Sequence, residues 1–330
     1  MRCCNGPVSD GNVPAVSLVV PAYSRVHFLR ECLVSIRHQT FSDWECIVVD
    51  DASPVGEAIH SVVEEMQDVR FRYIRRTHNG GPAAARNTGV RAARADYFIC
   101  VDEDDRLAPQ AVEVLRSVME TGDFDAVCPH ARLFGGTTGT RRAVQPSLKL
   151  MLQGMYLLPN GWIMKRSVWE RAGGYDEDLR LRGRDDWEIW LRILALGARV
   201  HVIDQLFYEW RIPAGGIGEP GSLENEARAG EVACMDYVLR KHSEVYQHYP
   251  HIRQALLLRS LRTERDWHER RGNAFRAAWR AAEFAYYEGS RKAIHKAVRL
   301  VLRALIGEKA AQSVANWVRV LIAAVPAPRS

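Results

Sequence analysis

Tyr97-Phe98-Ile99-Cys100-Val101-Asp102-Glu103-Asp104-Asp105 is the stretch on which the interpretation of the fold rests. Its apolar first half suits a buried strand, and four acids follow where that strand ends. Adjacent carboxylates repel one another unless a cation neutralises them, and hard divalent ions such as Mn²⁺ and Mg²⁺ prefer oxygen ligands. We therefore expect a metal site that also contacts a diphosphate. The alternative is capping of the helix predicted from Pro109, and we expect this role for Asp105.

The sequence before this strand alternates between strand-like and helix-like segments. Short apolar runs at 16–20, 44–49 and 71–74 predict three strands. Helices are predicted between them, starting near Arg25, Val55 and Pro82. This order predicts an α/β fold with a mostly parallel central sheet, in which the carboxyl ends of the strands form the ligand crevice.

Two more polar segments are expected at the same edge of the sheet. Pro21-Ala22-Tyr23-Ser24-Arg25 follows the first strand, and Asp50-Asp51 ends the second. A carboxylate there can accept a hydrogen bond from a base or a ribose, with helix capping as the alternative. Gly80-Gly81-Pro82 opens the third helix and brings Arg86 and free amides towards phosphate oxygens. The alternative is an ordinary helix with a surface arginine.

Beyond residue 109 the pattern becomes irregular. An amphipathic helix is predicted over 185–196, and short strands over 200–203 and 206–210. Asp185 and Asp186 stand at the start of that helix, where an acid can either cap the helix or deprotonate a hydroxyl. We select Asp186 as the candidate general base.

The 330-residue length and a hydrophobic fraction of 47% predict a globular main domain with a smaller appendage. We predict a flexible N-terminus over 1–13, a catalytic domain over 14–214, a linker over 215–222 and an all-α region over 223–330. The helices of that region are predicted near 223–242, 252–270, 274–287, 291–306 and 310–325.

The cysteine pattern and the hydropathy predict a cytoplasmic protein. Seven cysteines lack metal-type spacing and lie mostly in apolar runs, as reduced core residues do. We see no signal peptide, and the apolar stretch 314–325 is too short to span a bilayer. The formal net charge of +5 does not require a nucleic-acid partner, and we expect none. The oligomeric state is left open, with a homodimer as one option.

The last helices combine an apolar side with basic residues. This suits peripheral contact with an anionic interface on the inner face of a membrane, with ordinary core packing as the alternative. The apolar residues are Ile294, Val298, Val301 and Leu305, and the basic residues are Lys292, Lys296, Arg299 and Arg303.

Six sequence blocks, in this order over residues 14–212, together resemble family 2 glycosyltransferases. The resemblance implies a GT-A fold, a nucleotide-diphosphate sugar donor with a UDP-sugar favoured, and inversion at the anomeric carbon. The blocks are Val19-Val20-Pro21-Ala22-Tyr23-Ser24, Val48-Val49-Asp50-Asp51-Ala52-Ser53, Gly81-Pro82-Ala83-Ala84-Ala85-Arg86-Asn87, Asp102-Glu103-Asp104-Asp105, Gly173-Gly174-Tyr175-Asp176-Glu177 and Asp185-Asp186-Trp187-Glu188-Ile189-Trp190-Leu191-Arg192.

The resemblance also implies a role for each candidate site residue. Asp104 is the direct metal ligand, Asp102 lies near the ribose or a metal-bound water, and Asp186 is the base. Where many members carry a metal-binding histidine, this chain has Trp210-Arg211-Ile212-Pro213. Asp185, Trp162 and Trp187 are assigned to the acceptor or sugar. The donor nucleotide is assigned to Pro21, Ala22, Tyr23, Arg25, Asp50, Asp51, Arg86, Asp102 and Glu103.

Two rival functions remain open at this point. A nucleotidyltransferase shares the α/β plan and the carboxylate chemistry, but it usually needs a basic Gly-rich loop that 16–25 lacks. A catalytically degenerate scaffold subunit that binds nucleotide sugars is the second. The sequence leaves the acceptor open among glycans, lipid-linked sugars, peptides and natural products.

Overall fold

The computed structural model describes residues 13–154, 158, 160–181, 183–213, 230–288 and 291–306. The predictions for 1–12, for the linker 215–222 and for the helix 310–325 lie outside these residues, as does the first part of the helix predicted from 223. The described residues form two compact units. One ends by residue 213, and the other is helical and runs from residue 230, with 152–154 and residues around 181 also belonging to it.

The first unit alternates strands and helices, as the sequence predicts. Its strands are β1 Val16–Ala22, β2 Trp44–Asp50, β3 Phe71–Arg75, β4 Tyr97–Cys100, β5 Arg106–Leu107, β6 Ala126–Gly135, β7 Gly139–Arg141, β8 Ile163–Lys165 and β9 Val200–Ile212. Its helices are α1 Val26–Arg37, α2 Gly56–Glu65, α3 Gly81–Ala92, α4 Ala111–Thr121, α5 Leu148–Leu152, α6 Arg166–Arg171 and α7 Asp185–Ala195.

The strands form one mixed sheet in the order β3-β2-β1-β4-β8-β6-β9-β5, with β7 beside β6. The first four of these strands are parallel, and β8 runs antiparallel to both β4 and β6. Ala22 pairs with Asp50, and Val19 pairs with Cys100. The α/β prediction is confirmed, and the residues after β1, β2 and β4 emerge at one edge.

The two short strands predicted over 200–203 and 206–210 are one strand, which corrects the prediction. β9 is continuous over 13 residues because β6 pairs with it in parallel along most of its length. The exposed Asp204 and Gln205 interrupt the apolar pattern. The register shifts on β6 between Cys128 and His130, so the pair absorbs the interruption as a bulge.

Helix α3 lies unusually close to the sheet. A methyl group on Gly89 would sit 2.3 Å from Val19 Cγ1, far inside van der Waals contact. Glycine therefore permits the approach that carries Arg86, one turn earlier, to the sheet edge. Every residue of β1 and β2 is buried, as expected for strands inside the core. The described cysteines are also buried and free, as predicted.

The helical unit contains α8 Glu231–Lys241, α9 Ser243–Gln247, α10 Pro250–Arg270, α11 Ala274–Glu288 and α12 Arg291–Ile306. Ala293 and Ala297 of α12 are buried in a cluster with Ala281 and Phe284 of α11. Ile294, on the neighbouring side of α12, is 38% exposed. Among the helices that the structure describes, none has the length and apolar character that a membrane span requires.

Candidate active site

The four acids after β4 differ in burial and in hydrogen-bond partners. Asp105 is the deepest, at 3% exposure, and accepts hydrogen bonds from the Tyr208 hydroxyl and, at 2.7 Å, from the Arg211 amide. Burial, aided by the charge of Asp104, raises the pKa of Asp105 well above its usual range. The prediction that Asp105 caps a helix is wrong, since α4 begins after Gln110 without a side-chain cap.

Glu103 holds the loop that follows β1. Its carboxylate accepts hydrogen bonds from the backbone amides of Tyr23 at 3.0 Å and Ser24 at 3.5 Å. Burial raises the pKa of Glu103, and these amides oppose that shift. Pro21 and Ala22 are buried at the end of β1, whereas the Tyr23 side chain is 42% exposed. The loop is therefore open to solvent from Tyr23 to Arg25, and Tyr23 is its exposed aromatic residue.

Asp102 and Asp104 are partly open to solvent, with side chains 29% and 21% exposed. Asp104 forms an ion pair with Arg25, and Asp102 accepts a hydrogen bond from Asn160 at 2.7 Å. Two partly open carboxylates are hard oxygen donors that suit Mn²⁺ or Mg²⁺. In the described part of the chain no group of three or more His, Cys, Asp or Glu side chains has an arrangement that could hold a metal ion. A bound diphosphate or water could add oxygen ligands to these two carboxylates.

Arg86 links the segment Asp102-Glu103-Asp104-Asp105, called the acidic loop below, to the start of α7. It is 4% exposed and donates to Asp102 at 2.7 Å, Asp185 at 2.7 Å and Asp186 at 3.2 Å. Four residues selected from the sequence thus meet, although 100 positions separate Arg86 from Asp186. The side chain of Asp185 is 7% exposed and that of Asp186 is 19% exposed. Burial raises the pKa of Asp185, and the charge of Arg86 opposes that shift.

Asn87 and Tyr175 support Arg86 and were not selected as site residues. The side-chain amide of Asn87 donates to the Tyr175 carbonyl and accepts from the Tyr175 N–H, each at 2.8 Å. The Tyr175 ring lies 5.5 Å from the Arg86 guanidinium. Gly174 has φ +75°, and a methyl group there would lie 2.9 Å from Asn87 Oδ1. Both segments belong to blocks of the family resemblance, which is the sequence signal that could have identified them. The contact of Asn160 with Asp102 had no such signal.

Asp50 and Asp51 lie buried at the end of β2, at the sheet edge where the sequence predicts the ligand crevice. Asp50 is fully buried and accepts from Ser53 N at 2.7 Å, Tyr73 Oη at 2.6 Å and Arg75 at 2.5 Å. Asp51 accepts from the amide of Gly81 at 2.7 Å and also binds the Gly80 amide and Arg76. Asp51 thus caps α3, and the helix that directly follows it, α2, has no side-chain cap from its N-cap residue.

Trp162 and Trp187 lie in the core. Trp162 is 1% exposed, with ring centroids of Phe98 and Trp190 at 5.7 and 5.2 Å. Trp187 is 2% exposed and donates its indole N–H to the carbonyl of Met151 at 2.8 Å. A ring must expose a face to stack on a sugar, so the burial of both rings disagrees with their assignment to the acceptor or sugar. We give them packing roles behind the crevice.

Arg211 stands at the end of β9, near the place where the resemblance anticipated a histidine. Its Nε donates to the Asp104 carbonyl at 2.8 Å, and its Nη2 contacts Glu31 at 2.5 Å. The guanidinium lies 4.0 Å from the Phe28 ring centroid and 4.4 Å from that of Phe134. An arginine carries no free lone pair for a metal. Its role here is to hold the acidic loop in position.

Comparison with known proteins identifies the family. The model of glycosyl transferase family 2 matches residues 17–172. The chain is 30% identical over 185 residues to the uncharacterized glycosyltransferase YwdF of Bacillus subtilis, covering 54% of this chain and 67% of YwdF. It is also 30% identical to the uncharacterized glycosyltransferase EpsJ of the same species, over 60% of this chain and 61% of EpsJ. The match therefore spans less than two thirds of EpsJ.

Solved structures give the same fold at lower identity. TarS residues 1–349 of S. aureus superimpose with a TM-score of 0.59 at 16% identity, covering 93% of this chain and 91% of that one. The mannosyltransferase PcManGT of Pyrobaculum calidifontis gives a TM-score of 0.54 at 19% identity, covering 94% and 86%. These likenesses confirm the predicted GT-A fold. The family match and the identity to YwdF show that this chain belongs to glycosyl transferase family 2.

Proposed function

We propose that this protein transfers a sugar from a nucleoside-diphosphate sugar, with a UDP-sugar as the favoured donor, to an acceptor hydroxyl. The observation that carries the proposal is the contact of Arg86 with Asp102 on one side and with Asp185 and Asp186 on the other. Family membership supports the reaction. TarS in complex with UDP-GlcNAc, and PcManGT in complex with GDP-Man and Mn²⁺, support the donor class.

The donor would lie along the edge formed by the ends of β1, β2 and β4. Tyr23 would offer its exposed ring to the base, at the edge where β2 ends at Asp50 and Asp51 follows it. Arg86 and Arg25 are the cations beside the acidic loop, and guanidinium groups suit diphosphate oxygens. The exposure of Tyr23 and the position of these two arginines support the proposed donor site.

Asp102 and Asp104 are the residues that would hold Mn²⁺ or Mg²⁺. Both are carboxylates, and both are partly open to solvent. A bound divalent ion would stabilise the negative charge that develops on the departing diphosphate. Asn160 and Arg86 fix the two oxygens of Asp102, so this carboxylate is oriented before any substrate arrives. Preorganisation of this kind lowers the cost of binding.

Asp186 is the proposed general base. Of the two acids at the start of α7 it is the more exposed, and Arg86 holds it at 3.2 Å. Its carboxylate would accept the proton of the acceptor hydroxyl as that oxygen attacks the anomeric carbon. Attack from the face opposite the leaving diphosphate inverts the anomeric configuration in one displacement, without a covalent enzyme intermediate.

Donor hydrolysis tests the proposal without knowledge of the acceptor. We expect the wild type to release sugar slowly from a UDP-sugar, and Asp186→Asn to lower this rate by about 100-fold or more. UDP should still bind to the variant, because Asp186 lies on the acceptor side of Arg86. Asp204→Asn is the matched control, since this acid has an 81% exposed side chain.

Two results would contradict the proposal. Unchanged hydrolysis in Asp186→Asn would remove this residue from catalysis. Nucleotide-sugar binding by the wild type without turnover of any UDP- or GDP-sugar would favour the alternative of a degenerate scaffold subunit.

We further propose that the helical unit makes peripheral contact with an anionic interface on the cytoplasmic side of a membrane. Ile294, Val298 and Val301 line an open apolar groove of about 500 Å³ beside Tyr286, which is 81% exposed. Core packing of α12 uses Ala293 and Ala297, not these three residues. The exposed Lys292 and Lys296 supply positive charge on the same helix. The side chains of Arg299, Arg303 and Leu305 lie outside the described part of the chain.

A further inference from the structure

Three arginines among the described residues contact the acidic loop, and they differ sharply in freedom. The side chain of Arg86 is 5% exposed and that of Arg211 is 13% exposed. Each has several fixed acceptors, and Arg211 also lies between two aromatic rings. The side chain of Arg25 is 50% exposed, and it forms an ion pair with Asp104. Of these three arginines, Arg25 is therefore the one whose ion pair can be broken at a small cost in free energy.

We propose that Arg25 is a displaceable counter-cation, which occupies Asp104 in the empty enzyme and moves to the diphosphate of the donor when a divalent ion takes Asp104. This inference rests on the proposed function. The metal ligand is thus not left as an uncompensated charge at any stage. When the ion and the donor bind together, Arg25 exchanges a carboxylate partner for a phosphate partner and remains paired.

The backbone next to Arg25 is held by hydrogen bonds, whereas the Arg25 side chain is free to change conformation. Arg25 is the N-cap residue of α1 and makes no side-chain cap bond. The amides of Tyr23 and Ser24 bind Glu103, so the loop stays fixed while the guanidinium swings. Asp104 is held from the other side, because Arg211 binds its carbonyl. Only the side chain of Arg25 therefore has to change conformation.

This arrangement couples the metal and the nucleotide. A divalent ion that binds alone must displace Arg25, which then loses its partner. A nucleoside diphosphate supplies the replacement partner, so each ligand should strengthen the binding of the other. The coupling depends on Arg25 and should largely vanish without it.

Binding of Mn²⁺, followed by the loss of its free EPR signal, tests the exchange directly. Without nucleotide, Arg25→Gln should bind Mn²⁺ about threefold to fivefold more tightly than the wild type, the range expected when a partly exposed ion pair is removed. With saturating UDP this advantage should disappear, because in the wild type Arg25 has then moved to the diphosphate. Arg30→Gln is the matched control, since Arg30 lies on α1, the helix that Arg25 precedes, has a 51% exposed side chain and pairs with Glu65 of α2.

The outcomes separate this inference from the proposed function. Equal Mn²⁺ affinity of Arg25→Gln and the wild type without nucleotide would overturn the exchange while leaving the metal site intact. The same gain in affinity with and without UDP would overturn it too, because that result reports only removal of a nearby charge. Failure of the wild type to bind Mn²⁺ in the presence of UDP or GDP would contradict both this inference and the metal dependence in the proposed function.

Discussion

At the scale of single residues, Arg86 is a buried cation with three carboxylate partners in the candidate site. One buried guanidinium serves Asp102, Asp185 and Asp186. Three carboxylates around one cation leave a net negative charge at this end of the sheet. That excess charge is a physical reason for a further cation to bind where Asp102 and Asp104 are open to solvent.

Replacing Arg86 should destabilise the fold as well as the site. Arg86→Met leaves buried Asp185 without its cation, so we expect unfolding to become easier by about 3–5 kcal/mol. Thermal unfolding measures the change. Arg91→Met, on the same helix, is the control, since Arg91 is 60% exposed and lies 3.8 Å from Glu177. A Tm for Arg86→Met equal to that of Arg91→Met would refute the structural role of Arg86.

At the scale of elements, one buried acid joins four segments at the end of the sheet away from the crevice. Glu45 of β2 accepts hydrogen bonds from Ser17 of β1 at 2.8 Å, Arg72 of β3 at 2.8 Å, and both the amide and the side chain of Arg94, which precedes β4. Burial alone would raise the pKa of Glu45, but these hydrogen bonds outweigh it and lower the pKa. The acid therefore stabilises the fold in its charged form.

Glu45→Gln should show this as a pH dependence. A lowered pKa in the folded state stabilises the protein above the unfolded-state pKa, about 4.3, and this stability is lost as the pH falls through the folded-state pKa. The variant should thus be less stable than the wild type by about 2 kcal/mol at pH 7, and the difference should shrink below pH 4. Urea unfolding across this range measures it. A difference that does not change with pH would show that the charge is not involved.

The approach of α3 to β1 makes a second prediction at this scale. Gly89→Ala should lower stability by about 1–3 kcal/mol, although alanine favours helices, because its methyl group would overlap Val19. We expect Tm to fall by several degrees and nucleotide affinity to weaken as Arg86 shifts. Gly230→Ala is the control, since none of the described residues lies within 4 Å of a methyl group there. An unchanged Tm in Gly89→Ala would mean that the sheet can relax around it.

At the scale of the whole molecule, the sequence predicted which residues matter better than it predicted their contacts. The alternation of elements and the apolar face of α1 followed from periodicity, and the order of the acidic blocks led to the correct family. Periodicity holds no information on which distant segments touch. The contacts Arg211–Asp104, Asn87–Tyr175 and Asp51–Gly81 therefore emerged only with the topology. Tertiary pairing with β6 likewise overrode the broken pattern of β9.

The membrane contact is a property of the whole chain and is tested on it. The protein should float with vesicles rich in anionic lipid at low salt and be released at high salt, because screening weakens charge attraction. Lys292→Glu with Lys296→Glu should reduce flotation, and Lys149→Glu, in the other unit, should not. Equal flotation with neutral and anionic vesicles, or none with either, would contradict the proposed contact.

The most direct test of the central claim is thermal unfolding with nucleoside diphosphates in the presence and absence of Mn²⁺, for the wild type and Asp104→Asn. If the acidic loop after β4 is the donor site, Mn²⁺ with UDP or another diphosphate raises the Tm of the wild type. A ligand at 100 times its dissociation constant stabilises the fold by about 2.7 kcal/mol. Asp104→Asn should lose most of this shift. No shift with any nucleotide, or an equal shift in the variant, would contradict the account.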